Sequence, residues 1–137
     1  MKRYNKVKKI LLLILVVVLV ISGGFVLSIR SKLEDFSEEV SSIEVQEIDL
    51  SKINDGTYTG KYYVNETVGA IVEVTIKENN ITDIIFIEHK YGKGKKAEVI
   101  TGSVIEEQSL EVDTISGATG SSIVILKAIE DALISSY

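Results

Sequence analysis

Hydrophobic and polar positions alternate in three different rhythms along this chain. Residues 10–29 (ILLLILVVVLVISGGFVLSI) run for 20 positions without a charge. At about 1.5 Å of rise per residue, a helix of that length covers roughly 30 Å, the thickness of a bilayer core. Lipid offers backbone N–H and C=O groups no partner, so the segment is predicted to be a transmembrane helix. Beyond it, Leu33, Phe36, Val40 and Ile43 fall three and four apart, the spacing of an amphipathic helix. Two such repeats are too short for a coiled coil and predict a solvated stalk, helical at first.

From residue 55 the rhythm changes again. Residues 57–64 (TYTGKYYV) follow an Asp55-Gly56 turn and are rich in Tyr and Thr, as a strand is. Residues 70–77 (AIVEVTIK) alternate strictly, with Val72, Val74 and Ile76 on one face and Glu73, Thr75 and Lys77 on the other. Residues 81–89 (ITDIIFIEH) read as a third strand, and Glu78-Asn79-Asn80 as a tight turn, because Asn tolerates positive φ. Helical spacing returns at Ala97, Ile100 and Val104 within 97–108, weakened by Gly102. Residues 109–112 suggest a short edge strand. Residues 123–134 carry the clearest helical stripe: Ile125, Leu126, Ile129, Ala132 and Leu133. The predicted class is α+β: a small antiparallel sheet with two helices, preceded by one N-terminal transmembrane helix.

Charge sharpens this division. Residues 1–32 hold seven Lys/Arg and no acid, while 33–137 hold eight Lys/Arg against all 20 Asp/Glu, a net −12. Cations before an apolar helix favour an N-inside orientation. The expected organisation is a basic cytoplasmic tail (1–9), an anchor (10–29), a stalk or linker (30–54) and an extracytoplasmic body (55–137). Ser22-Gly23-Gly24 offers small residues to a signal peptidase, but no A-x-A site is present and the apolar run continues past it. The acidic body argues against nucleic acid as a partner. The 137 residues include no Cys and one His, which excludes disulfides, thiolate metal sites and a Cys nucleophile, and leaves no His-rich metal site.

Residues 113–122 (DTISGATGSS) sit directly before the last predicted helix. A helix start presents unpaired N–H groups and a positive dipole end, which suits a phosphate. Gly117 and Gly120 allow close backbone approach, and Ser116, Thr119, Ser121 and Ser122 supply hydroxyls. Ordinary N-capping by Ser or Thr explains the same composition without a ligand.

Three pieces in order carry a resemblance. Asp55-Gly56-Thr57-Tyr58-Thr59-Gly60, the hairpin over 71–89, and Gln108-Ser109-Leu110 with Val112-Asp113 and Ser116-Gly117-Ala118-Thr119 resemble the DGTYTG, hairpin and QSLxVDxxSGAT elements of the FMN-binding domain family. That family includes the flavin-bearing peripheral subunits of Rnf complexes and sodium-pumping NADH:quinone reductases, and small membrane-anchored extracytoplasmic proteins. The resemblance implies FMN as cofactor. It further implies a phosphoester between FMN and Thr119, made by a flavin transferase that consumes FAD. Asp113 would assist by taking the Thr proton or holding Mg²⁺, and Ser116, Gly117, Ala118 and Ser121 would complete the phosphate site. Tyr58, Tyr62, Tyr63 and Tyr91 are aromatic candidates for stacking on the flavin, with Tyr58 foremost. His89 is expected to be a hydrogen-bonding residue at a strand end, and residues 93–96 a solvated basic loop that would approach an anion only secondarily. The chain departs from the family pattern at 61–66 and 90–94, and at Ser121, where Thr is usual.

The resulting expectation is an electron carrier working with redox partner proteins, rather than an enzyme with its own organic substrate. A membrane-tethered adaptor that keeps the fold without flavin is the alternative.

Overall fold

The computed structural model describes the backbone of residues 2–92 and 94–136, with side chains for 8–28, 40, 42–92 and 94–136. The side chains of Lys2, Arg3, Lys6, Arg30, Lys32, Leu33 and Phe36, and all of Lys93, lie outside the described residues. The chain divides into two compact units, Met1–Glu38 and Glu39–Tyr137.

The first unit is helical and belongs to α1 (Lys2–Ser41). Within it, Lys8–Ser28 is long and apolar enough to cross a membrane. Its side chains from Ile10 to Leu27 are exposed all round, which a helix tolerates when lipid is its solvent. The Ser22 hydroxyl donates back to the Leu19 carbonyl at 3.0 Å, so this polar group is satisfied within the helix.

The second unit has two layers. β1 (Gly56–Asn65), β2 (Val68–Lys77) and β3 (Asn80–Tyr91) form an antiparallel meander with β2 in the centre. The alternation in β2 places Val72, Val74 and Ile76 on a face that is fully buried. Against it lie α2 (Ile100–Glu107), entered through a 3₁₀ turn at Lys95–Val99, and α3 (Thr119–Ile134). The stripe of α3 supplies Val124, Ile125, Ala128, Ile129, Ala132 and Leu133 to the same core. The architecture is α+β, with both helices on one face of the sheet.

The hairpin turns are built from local chemistry. Lys77 pairs with Asn80, so β2 and β3 are joined by two residues, Glu78 (φ +52°) and Asn79 (φ +62°). Positive φ at both positions is the geometry of a primed hairpin turn. Asp55 braces it, accepting from the Glu78 N–H at 2.8 Å. Between β1 and β2, the Asn65 carboxamide oxygen accepts from Thr67 N, Thr67 Oγ1 and Val68 N at 2.8–2.9 Å, an Asx turn.

Three sequence expectations need correction. Residues 43–53, assigned to a solvated stalk, pack on the body: Val45, Ile48 and Leu50 lie against the core and Ile53 is 2% exposed. Their apolar positions have no clean helical period, because the segment is irregular and covers the core edge. Residues 109–112 form no strand. Glu47 Oε2 accepts from Leu110 N and Ser109 Oγ, both at 3.1 Å, and so serves the backbone donor that a ladder would have served. Helix α3 begins at Thr119, not 123, because Ser121 and Ser122 are buried and packing overrides their weak helix propensity.

Glu130 joins the covering segment to α3. It is 4% exposed, pairs with Lys127 Nζ at 2.7 Å and accepts from Gln46 N at 3.0 Å. Glu130→Ala leaves that N–H without its acceptor and is expected to destabilise the body by about 2 kcal/mol. Glu130→Gln, which still accepts from Gln46, should recover part of the loss. Urea midpoints of the two variants measure this.

Candidate functional site

Residues 113–122 fold into a turn followed by a helix start, and one serine holds the turn together. Ser122 Oγ accepts from Ile115 N and donates to the Ala118 carbonyl, both at 3.0 Å. Ala118 N closes the turn onto Ile115 O at 2.8 Å. Ser122 is fully buried, so its hydroxyl is structural. No side chain caps α3, whose N-cap is Ala118. The first amides of a helix have no carbonyl four residues back to bond to. At Thr119, Gly120 and Ser121 they form a patch of donors at the positive end of the helix.

Thr119 is exposed at the first position of α3. Ser116 and Gly117 are exposed in the turn before it, and Ala118 is buried. Gly117 has φ +72°, a conformation that costs glycine nothing and other residues strain. A Cβ at Gly117 would also stand 2.8 Å from Lys96 Nζ. The Lys96 ammonium therefore lies against the bare backbone of the turn. Ser121 is 7% exposed and packs against Gly94, where an added Cβ would come within 1.8 Å of its Oγ. The segment 94–96 is thus in contact with the start of α3.

The same 3₁₀ turn reaches the end of β3. His89, with a side chain 3% exposed, contacts Glu98 Oε1 through Nδ1 at 2.9 Å. With the Glu98 carboxylate accepting, Nδ1 carries a proton. Nε2 is buried and has no hydrogen-bond partner. Phe86 stacks on the imidazole at 5.2 Å and 20°, and Tyr91 tilts against it at 5.0 Å.

The structure therefore gathers Ser116, Gly117, Ala118, Thr119 and Ser121, with Asp113 exposed on the approach to the turn. Tyr58 is not among them. It stands on β1, and its hydroxyl donates to the Asn54 carbonyl at 2.8 Å, which ties it to the start of that strand. The aromatic group beside the 3₁₀ turn at Lys95–Val99 is Tyr91 with Phe86 and His89. Lys96, Glu98 and Gly94 also belong here. The spacing in YGKGKK marks a flexible loop and holds no signal for which lysine faces Gly117.

Asp55 and Gly60 of the first sequence motif and Gln108 of the last have structural roles. Asp55 braces a turn, and Gly60 admits α3 against β1. The Gln108 side chain, at φ +52°, accepts from Ile81 N at 2.7 Å and donates to Ile81 O at 2.9 Å, closing the free edge of β3. The groups with shifted pKa values lie elsewhere. Hydrogen bonds from Ser51 hold the Asp49 carboxyl low. The bond from Tyr63 to Glu88 lowers the carboxyl and raises the phenol.

Unpaired amides, an ammonium and a side-chain-free backbone form a donor set suited to a phosphate. Among the described residues there is no cluster of His, Asp and Glu fit for a metal ion. No curated protein matches the chain. The model of the FMN-binding domain matches residues 65–134, just over half of the sequence and all of β2, β3, α2 and α3. With a phosphate-suited helix start inside that match, the chain belongs to the FMN-binding domain family, and FMN is its cofactor.

Proposed function

We propose that this protein is a membrane-anchored, extracytoplasmic electron carrier whose FMN is joined through its phosphate to Thr119. One observation carries the reading: an exposed threonine stands at the uncapped start of α3, two residues after Gly117, against which the Lys96 ammonium lies. The other hydroxyls are less suited, because Ser122 is spent within the turn and Ser121 is packed on Gly94.

In the attachment step, Thr119 Oγ forms a bond to the flavin-side phosphorus of FAD. The P–O bond of the diphosphate breaks and AMP leaves with the bonding pair. The hydroxyl proton passes to a base, for which Asp113 is the nearest carboxylate in sequence. A flavin transferase supplies the catalyst. The amides of Thr119, Gly120 and Ser121 would hold the remaining negative charge of the phosphodiester. Bound FMN supplies reversible redox chemistry, while the protein supplies position and electrostatics. The helix 8–28 anchors the body, and the cations before it set the orientation. A membrane-bound donor and a soluble or membrane-bound acceptor complete the relay.

The test is isolation of the full chain from membranes after co-production with a flavin transferase. A yellow protein, reducible by dithionite, reoxidised by an added acceptor and silent with NADH alone, is the expected result. A colourless chain would make it an adaptor, and turnover with NADH alone would make it a reductase. Protease added to intact cells should digest the body. Protection of the body would overturn the orientation.

A further inference from the structure

The residues of the 3₁₀ turn at Lys95–Val99 divide their work. Glu98 faces inward to His89, and Lys95 lies over the Tyr91 ring at 5.9 Å. Lys96 is exposed, with its ammonium against Gly117. Among the described residues, no carboxylate lies within ion-pair distance of Lys96, although residues 33–137 carry a net charge of −12. By contrast, Lys90 has Glu88 at 3.6 Å and Lys127 has Glu130 at 2.7 Å. An unpaired cation held against a turn, two residues before an exposed hydroxyl, is placed to take a counter-ion. Gly117 is required by its φ of +72°, and its lack of a side chain also leaves the ammonium room beside the backbone.

We propose that Lys96 is a positioning residue for the phosphoryl group at Thr119. Its ammonium holds the negative charge of the FAD diphosphate while Thr119 Oγ approaches, and holds the phosphodiester charge once AMP has left. This rests on the reading of Thr119 as the attachment point. It adds a second element of the chain, the turn after β3, to a site otherwise built from the start of α3. A charge-assisted hydrogen bond from an ammonium to a phosphate oxygen is among the stronger contacts a protein makes, and it requires a cation. The claim therefore predicts rescue by arginine and failure of rescue by a neutral side chain of similar length.

The experiment uses the full chain in detergent, produced without a transferase. Purified flavin transferase and FAD are then added, and incorporation is followed by flavin fluorescence after denaturation. Lys96→Gln is expected to slow initial incorporation by about tenfold or more. The effect should fall mainly on the KM for the acceptor chain, and should shrink as salt screens the charge. Lys96→Arg should restore most of the rate, and Lys95→Gln should leave it unchanged. Lys96 is exposed, so melting of the variants should match the parent. A parallel titration of free FMN into Thr119→Val and Thr119→Val/Lys96→Gln reads the contact without any covalent step, and affinity should fall about tenfold in the double variant. Unchanged incorporation and unchanged FMN affinity in Lys96→Gln would overturn the role of Lys96. Lost affinity with no covalent incorporation in the parent would instead overturn attachment at Thr119 and leave the contact standing.

Discussion

Thr119→Val is expected to give a chain that folds and melts like its parent but carries no flavin through denaturation. Valine matches threonine in shape and lacks only the hydroxyl. The hydroxyl makes no capping bond, since no side chain caps α3, so its removal should cost the fold little. Loss of a true N-cap would cost on the order of 1 kcal/mol and leave flavin content unchanged. The two roles therefore predict opposite pairs of results in flavin fluorescence and melting temperature. Ser121→Ala is the informative control, because its hydroxyl packs on Gly94. Ser122→Ala is not a clean control, because it removes the two bonds by which its hydroxyl braces the turn. Retained in-gel fluorescence in Thr119→Val would move the attachment to another hydroxyl.

Gly60→Ala should be the most disruptive small substitution in the body. A Cβ at this position would lie 2.1 Å from Ala128 O and 2.2 Å from Ala132 N, both backbone atoms of α3. No side-chain rotation relieves such a contact, so β1 must separate from α3. That separation strains the neighbouring bond from Lys61 N to Asp131 Oδ2, now 2.9 Å. Overpacking of this kind costs about 3 kcal/mol or more, which lowers the melting temperature by more than about 10 °C in a body this small. Gly102→Ala is the contrasting case. Nothing lies within 4 Å of its Cβ position, and it sits inside α2, so the body should gain up to about 1 kcal/mol. Thermal melts of both variants decide the matter, and a Gly60→Ala chain that melts with its parent would contradict the packing of α3 on β1.

These two positions also mark what was legible in the sequence. The sheet was, because Val72, Val74 and Ile76 alternate with polar neighbours and a primed turn follows them. So was the stripe of α3, though not its first turn, which takes in Thr119. Gly60 was visible only as a motif letter; its reason is a long-range contact with Ala128 and Ala132 that no local pattern encodes. Residues 43–53 misled for a related reason. An irregular segment that covers a core has apolar residues without a period, and so resembles a linker. Lys96 and His89 acquire their surroundings only when the turn at Lys95–Val99 brings Lys96 to Gly117 and Glu98 to His89. Tyr58 was visible as a motif letter, whereas the bond from its hydroxyl to the Asn54 carbonyl was not.

The central proposal is that this chain holds FMN covalently at Thr119, the first residue of α3. Peptide mass mapping of the full chain, co-produced with a flavin transferase and FAD, tests it most directly. The account predicts that the peptide spanning 113–127 gains the mass of FMN less one water, with fragmentation assigning the increment to Thr119. An unmodified peptide, or an increment on Ser116, Ser121 or Ser122, would contradict it.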